Sequence, residues 1–459
     1  MDANTQSRLA DRLAELCGDA VPGACVALSD GTTIVEAVHG VNSLRTQQPV
    51  TPQTMFQIGS ITKVYTGSLI MALVDRGDVD LDSPVQRYLP WFSVADAEVS
   101  AAVTVRHLLS HTAGFEGDDF TDTGRGDDAL RMYVDGLSKA AQIHPLGAMF
   151  SYCNSGYAVL GLVIESVTGA SWDAAVQDVL AEPLGLTLAT LPEQVILQPH
   201  ALGHLQRPTS DGGTALQVAP IWAPPRSIGP AGTICSSAAD LLRFGELHVR
   251  GGRAADGSQV LSASSVTEMQ QEQVLLDDPY VLGRAWGLSW ILPTQDVIGH
   301  DGSTFGQYAF YRLHPQSGVA MALLTNGPGA RSVSESLFEE FFTPLAGVDL
   351  PKAAVPAKTP PAIPDLSRYV GDYERQEVRI EARDVDGGLF LTTEPIGPLA
   401  DLAGTAKSLQ FVAFDGDTLI TREPVAGSGL HTTARFMVPD GDQRARWVHM
   451  GARATPRRA

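Results

Sequence analysis

The chain has 459 residues, 44% of them hydrophobic, enough for two or three domains around a large buried core. Its formal charge of -20 at pH 7 repels polyphosphates and anionic lipid, which sets aside nucleic acid and the membrane surface as partners. Of 32 basic residues only five are lysines, at positions 63, 139, 352, 358 and 407. Arginine serves for salt bridges but cannot release its proton near neutral pH, so a lysine inside an apolar stretch, as Lys63 is, points to an amine base.

In chain order, Leu9, Leu13 and Leu16 share one face of a predicted N-terminal helix. No basic start or apolar signal core precedes it, and the expected location is the cytoplasm. Strands are predicted at Ala24 to Leu28 and Thr33 to Val38. The segment Phe56-Gln57-Ile58-Gly59-Ser60-Ile61-Thr62-Lys63 then enters an apolar helix expected to stop at Gly77, with Ser60 in its first turn. Three residues apart on a helix, a hydroxyl and an amine share a face, and the free amides at the N-terminal end favour an oxyanion. A buried amine there tends to lose its proton, as a base for serine must. Taken alone, Ser-x-x-Lys also fits an N-cap beside a solvated lysine.

Further along, Tyr152-Cys153-Asn154 precedes the apolar run Tyr157 to Ile164, which is too short to span a membrane. A tyrosine at such a junction can relay protons and an asparagine amide can bind a carbonyl; the plainer alternative is a core tyrosine followed by a helix cap. The four cysteines show no metal-ligand spacing and are expected to be reduced and buried, with no base offered to Cys153. His300-Asp301-Gly302-Ser303 precedes a hairpin formed by Tyr308 to Leu313 and Val319 to Leu324. Its glycine permits close approach, and the Ser303 amide with that of Ser60 would make an oxyanion hole; the alternative is a turn with a surface histidine.

Residues 346–364 are rich in proline and alanine and mark a linker between a catalytic domain, 1–345, and a β-patterned domain, 365–459. In the latter, alternation at Val378 to Ala382 and Leu389 to Thr392, with turns at Asp386-Gly387-Gly388 and Asp415-Gly416-Asp417, predicts a small antiparallel barrel.

Ser60-x-x-Lys63, Tyr152-x-Asn154 and His300-x-Gly302, in this order, resemble the three motifs of the serine β-lactamase and penicillin-binding-protein superfamily, in its class C β-lactamase and esterase branch. Leu108 to Phe115 and Gly229 to Thr233 look like supporting segments, with His111 part of a structural signature. The resemblance implies an α/β (α+β) sandwich of a five-stranded antiparallel sheet against a helical region, with the site between them, followed by a lipocalin-like β-barrel. Many relatives carry Lys-Thr-Gly where this chain has His300-Asp301-Gly302, and a histidine is a group that can be neutral near pH 7.

The whole chain is similar to penicillin-binding-protein-type thioesterases. That likeness implies a peptidyl thioester substrate on the carrier protein of a peptide synthetase, attack by Ser60 and release by head-to-tail macrolactamisation. Lys63 would serve as base, Tyr152 and His300 would move protons, and Asn154 would orient the acyl carbonyl. It also lays the barrel over the cleft, where Arg453 of Gly451-Ala452-Arg453 would contact substrate or stand as a surface charge. Trp222 is a further candidate for the pocket, or a core residue. The alternative within the superfamily is an esterase or D-amino-acid peptidase with water as acceptor. No metal or organic cofactor is indicated, and the expected state is a monomer.

Overall fold

The computed structural model describes all residues except 2, 210–212, 398–399, 401–404, 427–428, 440 and 459. Its main sheet is built on β1 (Gly23–Asp30), β2 (Ile34–Gly40), β3 (Ile298–Ser303), β4 (Tyr308–His314) and β5 (Val319–Thr325), in the order β2-β1-β5-β4-β3. All neighbours are antiparallel. Where five strands are expected, the sheet has eight: the two-residue strands Ile291–Leu292, Ala285–Trp286 and Val274–Leu275 continue it beyond β3. Strands this short leave no alternation in the sequence for a pattern to detect.

Both faces of the sheet are covered, and β1 shows it by its alternation. Ala24, Val26 and Leu28 face helix α1 (Ala3–Cys17) through Leu9 and Leu13, while Cys25 and Ala27 face the larger core on the opposite side. That larger core holds α2 (Thr62–Asp75), α3 (Asn154–Thr168) and α4 (Ala238–Val249). Helix α2 is buried from Thr62 through Leu73 with no polar face turned to water, as expected of a helix apolar all round. It ends at Asp75, with Gly77 in the left-handed region two residues on. Ser60 departs from expectation slightly: it lies in a separate 3-10 turn, Gly59–Ile61, that feeds α2.

Residues 348–364 contain neither helix nor strand. Beyond them eight strands pair in sequence order into a second sheet: β6 (Gly371–Arg375), β7 (Val378–Val385), β8 (Gly388–Pro395), β9 (Lys407–Asp415), β10 (Thr418–Thr421), β11 (Thr433–Met437), β12 (Trp447–Met450) and β13 (Arg453–Pro456). A bridge from Tyr373 to Arg457 brings the two edge strands together and nearly closes the barrel. Tyr373, Ile380, Leu389, Leu391, Phe411 and Phe436 fill its interior as a packed core. Its β12–β13 hairpin, with Lys407 and Ala426, lines the site cavity, and its β6–β7 hairpin meets the first domain through Arg375.

Candidate active site

The serine turn and strand β3 are locked together by two glycines. A Cβ on Gly302 would lie 1.9 Å from the Ile58 carbonyl oxygen and 3.0 Å from the Ser60 amide nitrogen, and one on Gly59, at φ +53, would lie 2.6 Å from the Ser303 nitrogen. Only glycine allows this approach. It brings the Ser303 backbone against the serine turn, where the amides of Ser60 and Ser303 are the candidate oxyanion hole.

Lys63, in the first turn of α2, is fully buried. Its Nζ lies 3.2 Å from Ser60 Oγ and donates to the Ala231 carbonyl at 2.7 Å. Burial holds its pKa well below the ordinary lysine value; the nearby Arg453 cation lowers it further, and the Asp118 carboxylate opposes this. A neutral amine has one lone pair, and Ser60 Oγ is placed to give it a proton.

Tyr152 sits over this pair, its ring centroid 4.8 Å from Lys63 Nζ. Burial raises the phenol well above its ordinary pKa, so it stays protonated, and its contact with Ser60 opposes that rise. His111 stacks on Tyr152 with ring centroids 4.3 Å apart and accepts from the Cys153 amide through Nδ1 at 3.0 Å. It therefore braces the Tyr152 loop from behind. Cys153, with its thiol pushed up to about 12 by burial, occupies the cap of α3 and accepts from the Gly156 amide at 3.3 Å. That leaves Asn154 as the first helical residue, and its Nδ2 donates to Asp118 Oδ1 at 2.8 Å. All four cysteines are free and buried.

On the facing strand, His300 Nδ1 lies 2.6 Å from the Asp301 carbonyl oxygen. A carbonyl only accepts, so Nδ1 carries the proton and Nε2 keeps its lone pair, with no hydrogen-bond partner among the described residues. Burial, reinforced by Lys63, takes this imidazole down to about 3, so it is neutral at pH 7.

Ser60, Tyr152, His300, Ser303 and Arg453 thus line one cavity of about 580 Å³, with Lys63 bonded to its serine. Arg453 is no free surface charge: it grips both carboxylate oxygens of Asp118, and its guanidinium carbon lies 4.9 Å from the Tyr152 ring centroid. Two further expected residues are not in that lining: Asn154, whose amide is turned to Asp118, and Trp222. Trp222 packs against the small cluster of Met55, Ala189, Val195 and Cys235, its carbonyl accepting from Gln57. An amphipathic ring is as well suited to a satellite core as to a pocket, and the sequence does not separate the two.

Sequence reasoning missed Asp118. Its carboxyl is raised by burial but brought down to about 2 by Arg453 and Arg375. Those partners lie 335 and 257 residues away, so no local pattern announces them. The barrel also fastens the catalytic segment itself: Ala452 O accepts from the Tyr152 amide at 2.9 Å, Ser151 Oγ from the Ala454 amide at 3.2 Å, and the Ile143 carbonyl from Trp447 Nε1 at 2.8 Å.

Comparison with known proteins matches this architecture. The Beta-lactamase family model fits residues 8–340. The chain is 43% identical to penicillin-binding protein 4 of Amycolatopsis lactamdurans over 362 residues, which cover 78% of this chain and 94% of that one. Crystal structures of SurE align over 100% of both chains, with TM-score 0.78 and 29% identity for one and, for SurE with D-Leu, 0.75 and 30%. A class C β-lactamase from Rhodobacter sphaeroides shares the fold over 74% of this chain and 100% of its own, with TM-score 0.58 and 23% identity.

Proposed function

The chain belongs to the β-lactamase family of enzymes that act through a serine, and from that premise we propose that it is a penicillin-binding-protein-type thioesterase that cyclises a nonribosomal peptide. The observation that carries this reading is the buried Lys63 amine 3.2 Å from Ser60 Oγ, inside a cavity walled partly by the barrel that SurE also aligns with along its whole length.

In the first half-reaction Ser60 Oγ attacks the thioester carbonyl carbon and its proton passes to Lys63 Nζ. The carbonyl oxygen becomes an oxyanion facing the amides of Ser60 and Ser303. As the tetrahedral adduct collapses, the C–S bond breaks and the leaving thiolate takes the proton from Lys63 by way of the Tyr152 phenol, leaving a free thiol and an acyl ester on Ser60. In the second half-reaction the peptide's own N-terminal amine attacks that ester. The amine loses a proton toward the neutral side chains of His300 and Tyr152, the C–O bond breaks, and Ser60 Oγ recovers its hydrogen. The product is a head-to-tail macrolactam. Asn154 orients the acyl carbonyl, and Arg453 meets the substrate where the barrel covers the cleft.

A D-residue at the acyl end is the expected substrate feature, supported by the D-Leu in a SurE structure. The peptidyl thioester would arrive on a carrier protein of a peptide synthetase, and the enzyme would act as a cytoplasmic monomer. The test is product analysis with peptidyl pantetheine thioesters ending in a D-residue. Cyclisation gives a product lighter than the linear acid by one water; linear acid alone from every such peptide would overturn the cyclase reading in favour of a hydrolase with water as acceptor.

A further inference from the structure

Asp118 is where the two halves of the molecule meet. Arg375, at the end of β6, donates through Nη1 to Asp118 Oδ2 at 2.9 Å, and the next amide, of Gln376, donates to Glu116 Oε2 at 3.0 Å. Arg453, opening β13, donates through Nε and Nη2 to the two oxygens of the same carboxylate. The third partner is Asn154 Nδ2 at 2.8 Å. Side-chain exposure is 5% for Asp118, 13% for Arg375 and 26% for Arg453, so these ion pairs are sheltered from the screening that weakens surface pairs. Two guanidiniums share the Asp118 carboxylate, and Glu116, whose Oε1 accepts from the Asp118 amide, stands beside them as a second carboxylate. Removing either arginine would take one positive charge from this group, and removing the Asp118 carboxylate would take one negative charge.

Among the described residues, the groups packed against Lys63 on its other sides carry no charge. The rings of Tyr152 and Tyr157 lie 4.8 and 5.4 Å from its Nζ. His111 and His300 are held neutral by burial and by Lys63 itself, and the Cys153 thiol is protonated. Asp301, Arg331 and Lys407 line the same cavity, Asp301 paired with Arg312 and Arg331 with Glu335. Among the described residues, the full charges that act most on Lys63 are those of Arg453 and Asp118, which oppose each other.

We propose that Asp118 is a positioning residue through which the barrel prepares the active serine: its pairs with Arg375 and Arg453 hold the Asn154 amide in place and set the balance of charge that Lys63 faces. The barrel is then a working part of the base, because undocking it would leave a bare carboxylate beside the lysine. This rests on the acyl-serine reading above.

The test follows the rate of Ser60 acylation against pH, using an N-acetylated peptidyl pantetheine thioester ending in D-Leu, so that no amine can attack. The rising limb of that profile reports the loss of the Lys63 proton. A unit charge on the order of 10 Å away, at an effective dielectric of about 20, moves such a limb by about one pH unit. Asp118→Asn is expected to move the limb down by about that amount; Arg375→Gln, which does not touch the cavity lining and acts through its pair with Asp118, moves it up by less, the double variant falls between the two, and Arg375→Lys leaves it in place. Glu377, whose carboxyl is raised to about 7 by burial and by Asp118, titrates on the same side, and a Glu377→Gln control measures its share. A purely structural Asp118 would lower the rate in every variant without opposite shifts, and limbs that stay put or move the same way overturn the inference. If Arg375→Gln fails to fold, Asp118→Asn with an unmoved limb does so alone. Absence of acylation in the unaltered enzyme would overturn the acyl-serine reading instead, and this inference with it.

Discussion

Replacing Lys63 by methionine is expected to destroy activity and stabilise the fold, and the second effect has a magnitude that follows from one proton. In the unfolded chain Lys63 titrates near its ordinary value of about 10.4, whereas in the folded chain burial holds it well below that. Between the two values the unfolded state binds one more proton than the native state, so unfolding free energy rises with pH by about 1.4 kcal/mol per unit. The sign is that of a lysine depressed by folding: the cost is present at neutral pH and fades as pH climbs toward 10. Methionine has a similar length and no proton to lose, so it carries no such slope. Its advantage over the unaltered protein should therefore shrink between pH 7 and pH 9, by at most about 2.7 kcal/mol. Urea unfolding of both proteins at pH 7, 8 and 9, followed by tryptophan fluorescence, reads that difference directly, because every other titrating group cancels. A difference that stays constant over this range would mean that Lys63 is protonated in the folded protein, and an ammonium cannot act as the base.

Other substitutions probe the neighbours. Tyr152→Phe keeps the stack on His111 and removes only the phenol, so acylation should fall by roughly 10² to 10⁴ with the thermal midpoint little changed; near-normal acylation would remove Tyr152 from the proton path. Because His300 is held near 3 and its Nδ1 proton is committed to a carbonyl, its ring should show no protonation shift between pH 5 and 8 in histidine NMR; a midpoint in that window would contradict the neutral assignment. Gly302→Ala places a methyl 1.9 Å from the Ile58 carbonyl and must push β3 off the serine turn. Acylation should drop by about 10² to 10³, the range seen when an oxyanion donor is lost, and an unchanged rate would argue against that pair of amides. Cys153, buried with its thiol at about 12, should resist iodoacetamide at pH 8 until the protein is unfolded, and fast labelling of the native protein would refute its structural role.

The sequence was most readable where chemistry and local pattern coincide. Ser60 and Lys63 stand three residues apart in a chain nearly emptied of lysine, and a helix puts such a pair on one face whatever surrounds it. The hairpin of β4 and β5 was visible from its alternation and its turn, and the barrel from its repeated aspartate-glycine turns. What escaped notice is what tertiary packing alone decides. Asp118 is an ordinary loop aspartate until residues 375 and 453 arrive on it, and Asn154 is indistinguishable from a helix cap until Cys153 is seen to occupy that position. The short strands past β3 carry no period, and Trp222 offers the same side chain to a pocket as to the cluster where it packs. The described residues include no single helix long and apolar enough to cross a membrane.

The most direct measurement is intact-protein mass spectrometry of the enzyme after brief exposure to an N-acetylated peptidyl pantetheine thioester ending in a D-residue, with peptide mapping of the adduct. The account predicts one acyl group per chain, mapped to Ser60, absent from Lys63→Met, and resolved to a cyclic product when the peptide's amine is left free. An adduct on another residue, or none under conditions where the thioester is consumed, would contradict it.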